Sequence, residues 1–111
     1  MHLDDETRLF HMRDAAHEAI GFVSGLTVEA LHRDRLLALG LVRCLEIIGE
    51  AAAGTSAELK AANPDLPWRE MVSMRNRLIH GYFDVDLDRV WDTVTVDLPP
   101  LEARLREIIG A

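Results

Sequence analysis

The chain has 111 residues, a formal net charge of −7, 49% hydrophobic residues and only 5% aromatic ones. That bounds it to one domain, residues 1–111, with a single aliphatic core, and the acidic balance argues against broad nucleic-acid binding, whose affinity comes largely from positive charge. The lone cysteine, Cys44, excludes an internal disulfide framework and suits a reducing cytoplasm, and no long apolar run or signal pattern points to a membrane span or to export.

Asp4-Asp5-Glu6 reads as an acidic helix start, complementing the N-terminal dipole. Leu9, Met12, Ala16, Ile20 and Val23 then recur at spacings of three and four, which predicts one amphipathic helix ending near Ser24-Gly25. His11 and His17 lie six apart on it, do not share a face and are expected to be solvated. Thr27 is placed to cap a short turn. A second long helix follows from about Asp34 to Ala53, apolar over much of its circumference. Such a helix is central or packs against a second subunit, and both are expected here. Thr55 or Ser56 caps a short helix through about Ala62, and Asn63-Pro64-Asp65-Leu66-Pro67 is a turn. Pro67 and Trp68 open the next helix, with Trp68 pinning it to the core.

After Phe83, a loop and cap lead to a helical stretch from Leu87, with Val90, Trp91, Val94 and Leu98 as its stripe. Pro99-Pro100 is expected to break or kink it near Leu98. Leu101, Leu105, Ile108 and Ile109 carry a last amphipathic helix. No strand pattern of useful length appears, so the fold class is all-α.

The stretch Met74 to Phe83 carries the chemistry. It reads as the last turns of a helix closed by Gly81 in the left-handed conformation. At about 100° per residue, Trp68, Met71, Val72, Leu78, Ile79 and Tyr82 fall within roughly 60° of Arg75. Arg75 is therefore centred in an apolar stripe, where a guanidinium needs a carboxylate or a ligand anion. Glu46, which shares a stripe with Leu39 and Val42, is one candidate for that carboxylate; Glu50, one turn on, is the other. His80 sits on the last turn, where the helix dipole favours its charged form and a role in proton transfer. Asn76 precedes it by one turn on the same face. Arg75 and His80 point about 140° apart on an ideal helix. They converge only if Arg75 reaches round, if the last turn distorts, or if a second subunit completes the site.

Arg75-x4-His80-x-Tyr82, with asparagine directly after the arginine, resembles the R-x4-H-x-Y signature of HepT-type toxins in the HEPN superfamily. The segments Arg43 to Ala51, Pro67-Trp68 and Asp86 to Trp91 match in the same order, so the resemblance covers nearly the whole chain. It implies an antiparallel up-and-down bundle of about four to five helices, dimeric, with the Arg75 and His80 positions lining an inter-subunit cleft. It also implies a type VII-like toxin–antitoxin partnership. A minimal nucleotidyltransferase antitoxin, MntA-like, would transfer AMP from ATP to Tyr82.

The residues themselves fit that chemistry. No metal-ligand spacing and no phosphate-cradling glycine loop is present, and no cofactor is expected. Arginine, asparagine and histidine suit metal-independent RNA cleavage, in which the 2'-hydroxyl attacks its neighbouring phosphate. Arg75, His80 and Asn76 are the catalytic set, with Glu46 and Glu50 as supporting acids. RNA is the expected substrate, with transfer and messenger RNA both open and neither DNA nor membrane expected. Arg69, Arg75 and Arg77 against Glu70 form a locally basic window on the acidic body. The competing reading is a non-catalytic helical partner that presents substrate to the nucleotidyltransferase.

Overall fold

The structure, a computed structural model, describes residues 4–110. Asp4 caps the first helix, α1 (Asp5–Val23), by accepting from the Thr7 amide at 2.7 Å. Gly25, at φ 75°, turns the chain into α2 (Val28–Arg33). Thr27 precedes α2 but makes no side-chain cap. Asp34 caps α3 (Arg35–Gly54) through the Leu37 amide, and Ser56 caps α4 (Ala57–Ala62) through Leu59. Asp5 reaches across to the Ser56 amide at 2.9 Å, so the starts of α1 and α4 are tied together.

Helix α5 (Trp68–His80) is anchored at its first residue, where the Trp68 indole donates to the Asn63 carbonyl at 2.9 Å. Asn63 is itself buried and held by Leu59 and Arg104. Asp86 caps α6 (Leu87–Asp92), which runs through a π-helical segment, Thr93–Asp97, into α7 (Leu98–Ile109). Of the break or kink expected at Pro99-Pro100, the break does not occur. Each proline lacks an amide hydrogen and crowds the carbonyl one turn back, and the wider π-turn just upstream absorbs that mismatch, leaving one composite helix. Gly110, at φ 84°, ends it.

The expected all-α antiparallel bundle is what the chain forms: α1, α3, α5 and the composite helix are its long members, with α2 and α4 as short connectors. Phe22, near the end of α1, meets Gly40 early in α3, and Arg8, near its start, meets Gly54 at the end of α3. The two helices therefore run antiparallel. Small residues on α1 (Ala15, Ala16, Ala19) let α3 and α7 close on it. Met12, Leu31, Leu41, Leu105, Val90 and Val94 are the largest fully buried side chains. Cys44 is buried, and that burial, with Glu18 nearby, pushes its thiol pKa up. Among the described residues, no helix is long and apolar enough to cross a membrane.

Candidate active site

α5 lies antiparallel on α3, and one glycine sets how closely. A Cβ placed on Gly49 would overlap Arg75 Cβ and come within 2.7 Å of the Met71 carbonyl oxygen. The missing side chain is the cradle in which the stem of Arg75 rests. Gly49 is thus a positioning residue that the sequence reading missed. Its one visible signal was a glycine in the middle of an apolar helix, where it costs about 1 kcal/mol against alanine.

Arg75 is not centred in a packed stripe. Of the apolar residues around it, Met71 and Leu78 are buried, on one flank. On the other flank Val72 is half-buried and Ile79 is exposed. Arg75 therefore sits at the boundary of core and solvent, with 19% of its side chain exposed. Its Nη1 donates to Glu50 Oε1 at 2.7 Å, while its Nε is buried with no partner. The carboxylate is Glu50, not Glu46. Glu46 lies one turn earlier on α3 and pairs instead with Arg43, three residues away on the same helix, at 3.5 Å. Glu50 is 56% exposed, so the guanidinium is held at the surface and not locked onto an internal acid.

His80 is the last residue of α5 and is exposed; Asn76, one turn back, is exposed too. Gly81 follows at φ −106°, not in the left-handed region expected. Glycine is needed there for space: its amide donates to the Arg77 carbonyl at 2.8 Å, and a Cβ would come within 2.9 Å of that same oxygen. Tyr82 and Phe83 are 78% and 80% exposed, stacked edge to face at 5.8 Å. Tyr82 does not pack in the apolar stripe. It borders a cavity of about 560 Å³ with Val42, Glu46, Val85 and Leu87. Neither Arg75 nor His80 lines any of three principal cavities among the described residues. Among the described residues, no group of three His, Cys, Asp or Glu side chains could hold a metal ion.

Other histidines serve the scaffold. His17 joins Glu102 at 2.8 Å, linking α1 to α7, and His32 joins Asp88 at 2.7 Å, linking α2 to α6. Neither pairing was visible in the sequence, because the partners lie 85 and 56 residues away.

Comparison with known proteins agrees with the motif. The family description "Ribonuclease HepT-like" matches residues 12–108. A Thermococcus cleftensis protein named "Probable ribonuclease HepT" is 38% identical over 102 residues, covering 88% of this chain and 92% of that one. A Caldanaerobacter subterraneus protein named "Putative RNase" is 36% identical over 101 residues, 91% of this chain and 90% of that one. Another "Putative RNase", from Methanocaldococcus jannaschii, is 30% identical over 106 residues, 96% of this chain and 88% of that one. No solved structure matches. With the match running from the first long helix to the last, and the R-x4-H-x-Y string on the exposed end of α5, the chain belongs to the ribonuclease HepT-like family.

Proposed function

We propose that this protein is the endoribonuclease toxin of a type VII-like toxin–antitoxin pair, cleaving RNA without a metal ion at a cleft between two copies of the chain. The observation that carries the reading is Arg75. It is cradled by Gly49 and held on one side, through Nη1, by a solvent-facing carboxylate, while Nη2 makes no hydrogen bond among the described residues. A phosphate is the ligand that such a half-satisfied guanidinium grips bidentately. The relatives' names point to the same substrate class.

In this mechanism His80 takes the proton of the 2'-hydroxyl, or gives one to the departing 5'-oxygen. The 2'-oxygen forms a bond to phosphorus as the bond from phosphorus to the 5'-oxygen breaks, leaving a 2',3'-cyclic phosphate and a 5'-hydroxyl. Arg75 stabilises the charge on the non-bridging oxygens, and Asn76 orients the imidazole or a phosphate oxygen. One motif histidine per chain is short of the two proton carriers required, and a two-fold dimer doubles the supply. Exposed apolar residues support that assembly: Ile79 on the flank of α5 beside Arg75, and Leu36 and Leu39 nearer the start of α3. Tyr82 is the AMP acceptor for the nucleotidyltransferase antitoxin. A phosphodiester placed there would compete with RNA for Arg75.

The test is RNA incubated with purified protein in EDTA, with analysis of the new ends. Cyclic-phosphate ends that vanish in His80→Ala support the reading. Mixing Arg75→Ala and His80→Ala chains restores part of the activity if two subunits share a site. The four-fifths exposure of Tyr82 and Phe83 also favours the second reading, a non-catalytic presenting module for the nucleotidyltransferase. Unaltered RNA alongside tight binding of that partner would select it.

A further inference from the structure

α5 leans on α3 and scarcely touches α7, so the bundle stays open along one side. The opening is a groove of about 480 Å³. Leu45 and Ile48 of α3, Met74 of α5, and Leu98 and Leu101 of α7 give it an apolar floor. The π-helical segment contributes Thr93 and Asp97 to its wall. Arg69 and Arg77 line it from α5, and Arg89 from α6.

Glu70, Asp92 and Asp97 line the same groove, yet none of these three arginines forms an ion pair among the described residues. Each rim carries both signs, with the opposite charges beyond pairing distance. Elsewhere Arg13, Arg43, Arg75, Arg104 and Arg106 are paired, while Arg8, Arg33 and Arg35 form no ion pair among the described residues. The α5 members also point somewhere particular. On the helix, Arg69 and Arg77 lie roughly 40° to either side of Ser73, and His80 roughly 20° from it. The arginine row therefore runs for about 12 Å along the face that ends at His80.

We infer that this groove is a strand track, taking the phosphodiester backbone of single-stranded RNA that flanks the cleavage point. Arg69, Arg77 and Arg89 hold phosphates, and bases lie on the apolar floor. The inference rests on the ribonuclease reading above and deepens it. It also gives a chain of net charge −7 a place to engage RNA, at three cations that no carboxylate of the described residues holds. An acidic protein surface would satisfy the same charges, but it would have no reason to follow a row that ends at His80.

Binding is separable from cleavage. His80→Ala protein keeps the groove and leaves a fluorescent single-stranded oligoribonucleotide intact, so anisotropy reads affinity alone. In that background, Arg69→Glu, Arg77→Glu and Arg89→Glu combined are expected to weaken binding at least ten-fold. The slope of log affinity against log salt should fall by about 2, at about 0.7 per lost phosphate contact. Arg33→Glu, on exposed α2 and outside the groove, changes charge in the same sense and is expected to leave affinity within two-fold. Circular dichroism checks that each variant folds. Parent-like affinity in the triple variant overturns the track and hands the groove to a protein partner. An equal per-residue loss in Arg33→Glu overturns it too, because the effect is then diffuse charge. Absence of cleavage by the unmutated protein sinks the catalytic reading and leaves this measurement standing.

Discussion

The face that α1 turns to α3 and α7 is built from buried small and aliphatic side chains, Leu9, Met12, Ala15, Ala16, Ala19 and Val23, whereas the face that α5 turns to α6 and α7 carries arginines that form no ion pair among the described residues. The first contact is set by area removed from water, at about 25 cal/mol per Å². The second helix is held from one side only, by Met71 and Leu78, the Gly49 cradle and the Trp68 anchor. A helix held on one side keeps its other faces for ligands. Arg75, Asn76 and His80 lie on this loosely held helix, where rearrangement costs the core least.

The sharpest way to separate the two regions is to remove a group from α5 that packs against nothing. His80→Ala is expected to lower the RNA cleavage rate by about 10²- to 10⁴-fold, the usual worth of a positioned proton carrier. Thermal stability should stay within about 0.5 kcal/mol of the parent, because the residue is exposed. Single-turnover cleavage beside a thermal melt checks both. A comparable loss of stability would mean that the end of α5 belongs to the core after all.

The next test breaks the boundary. Gly49→Ala forces α3 and α5 apart at Arg75 and is expected to cost about 1–3 kcal/mol by overpacking, together with lost cleavage. Gly40→Ala on the same helix meets only the Phe22 ring, at 3.6 Å, an ordinary contact. It should be neutral or stabilise by up to about 1 kcal/mol, because alanine is the better helix former. Urea melts of the two variants should therefore move in opposite directions.

These contrasts also show what the sequence could and could not express. Helix positions followed from periodicity and caps: Asp34, Ser56 and Asp86 stand where the chain turns into a helix, and local spacing is all that such signals require. Arg75, His80 and Tyr82 were legible because their motif is short and contiguous. What stayed hidden was pairwise and distant. Nothing local tells Glu50 from Glu46 as the partner of Arg75; the choice depends on the height at which α5 crosses α3, and Gly49 sets that height. The prolines at 99 and 100 announced a disruption, but whether a helix breaks or widens depends on what packs against it. Here the helix widens, and Val94, Leu98 and Leu101 are buried along the join.

Smaller effects probe how tightly the loose region is tied. Glu50→Gln removes the anion from Arg75 but keeps the shape of the side chain. The pair is part-exposed, so stability should fall by less than about 1 kcal/mol. RNA affinity should instead rise about two- to five-fold, a change of under about 1 kcal/mol, because Glu50 no longer repels the phosphate or occupies the guanidinium. Anisotropy with His80→Ala and the double variant reads this. A fall in affinity would make Glu50 the group that orients Arg75 rather than its competitor.

The smallest expected effect lies on the closed side of the bundle. Burial pushes the Glu102 carboxyl up, but hydrogen bonds from Arg106 and His17 outweigh it and leave the pKa below its ordinary 4.5. A carboxylate with a depressed folded-state pKa binds fewer protons folded than unfolded as pH falls past 4.5. Its stabilisation is complete above that pH and is lost as pH drops through the lower folded value. Glu102→Gln should therefore flatten the acid limb of the stability profile. Melts of this variant and the parent taken between pH 3 and pH 7 compare them, since about 4.5 is where the two curves should begin to part. An acid limb unchanged by Glu102→Gln would mean that the link between α1 and α7 is held by its alanine and leucine packing alone, with His17 and Glu102 adding nothing to it.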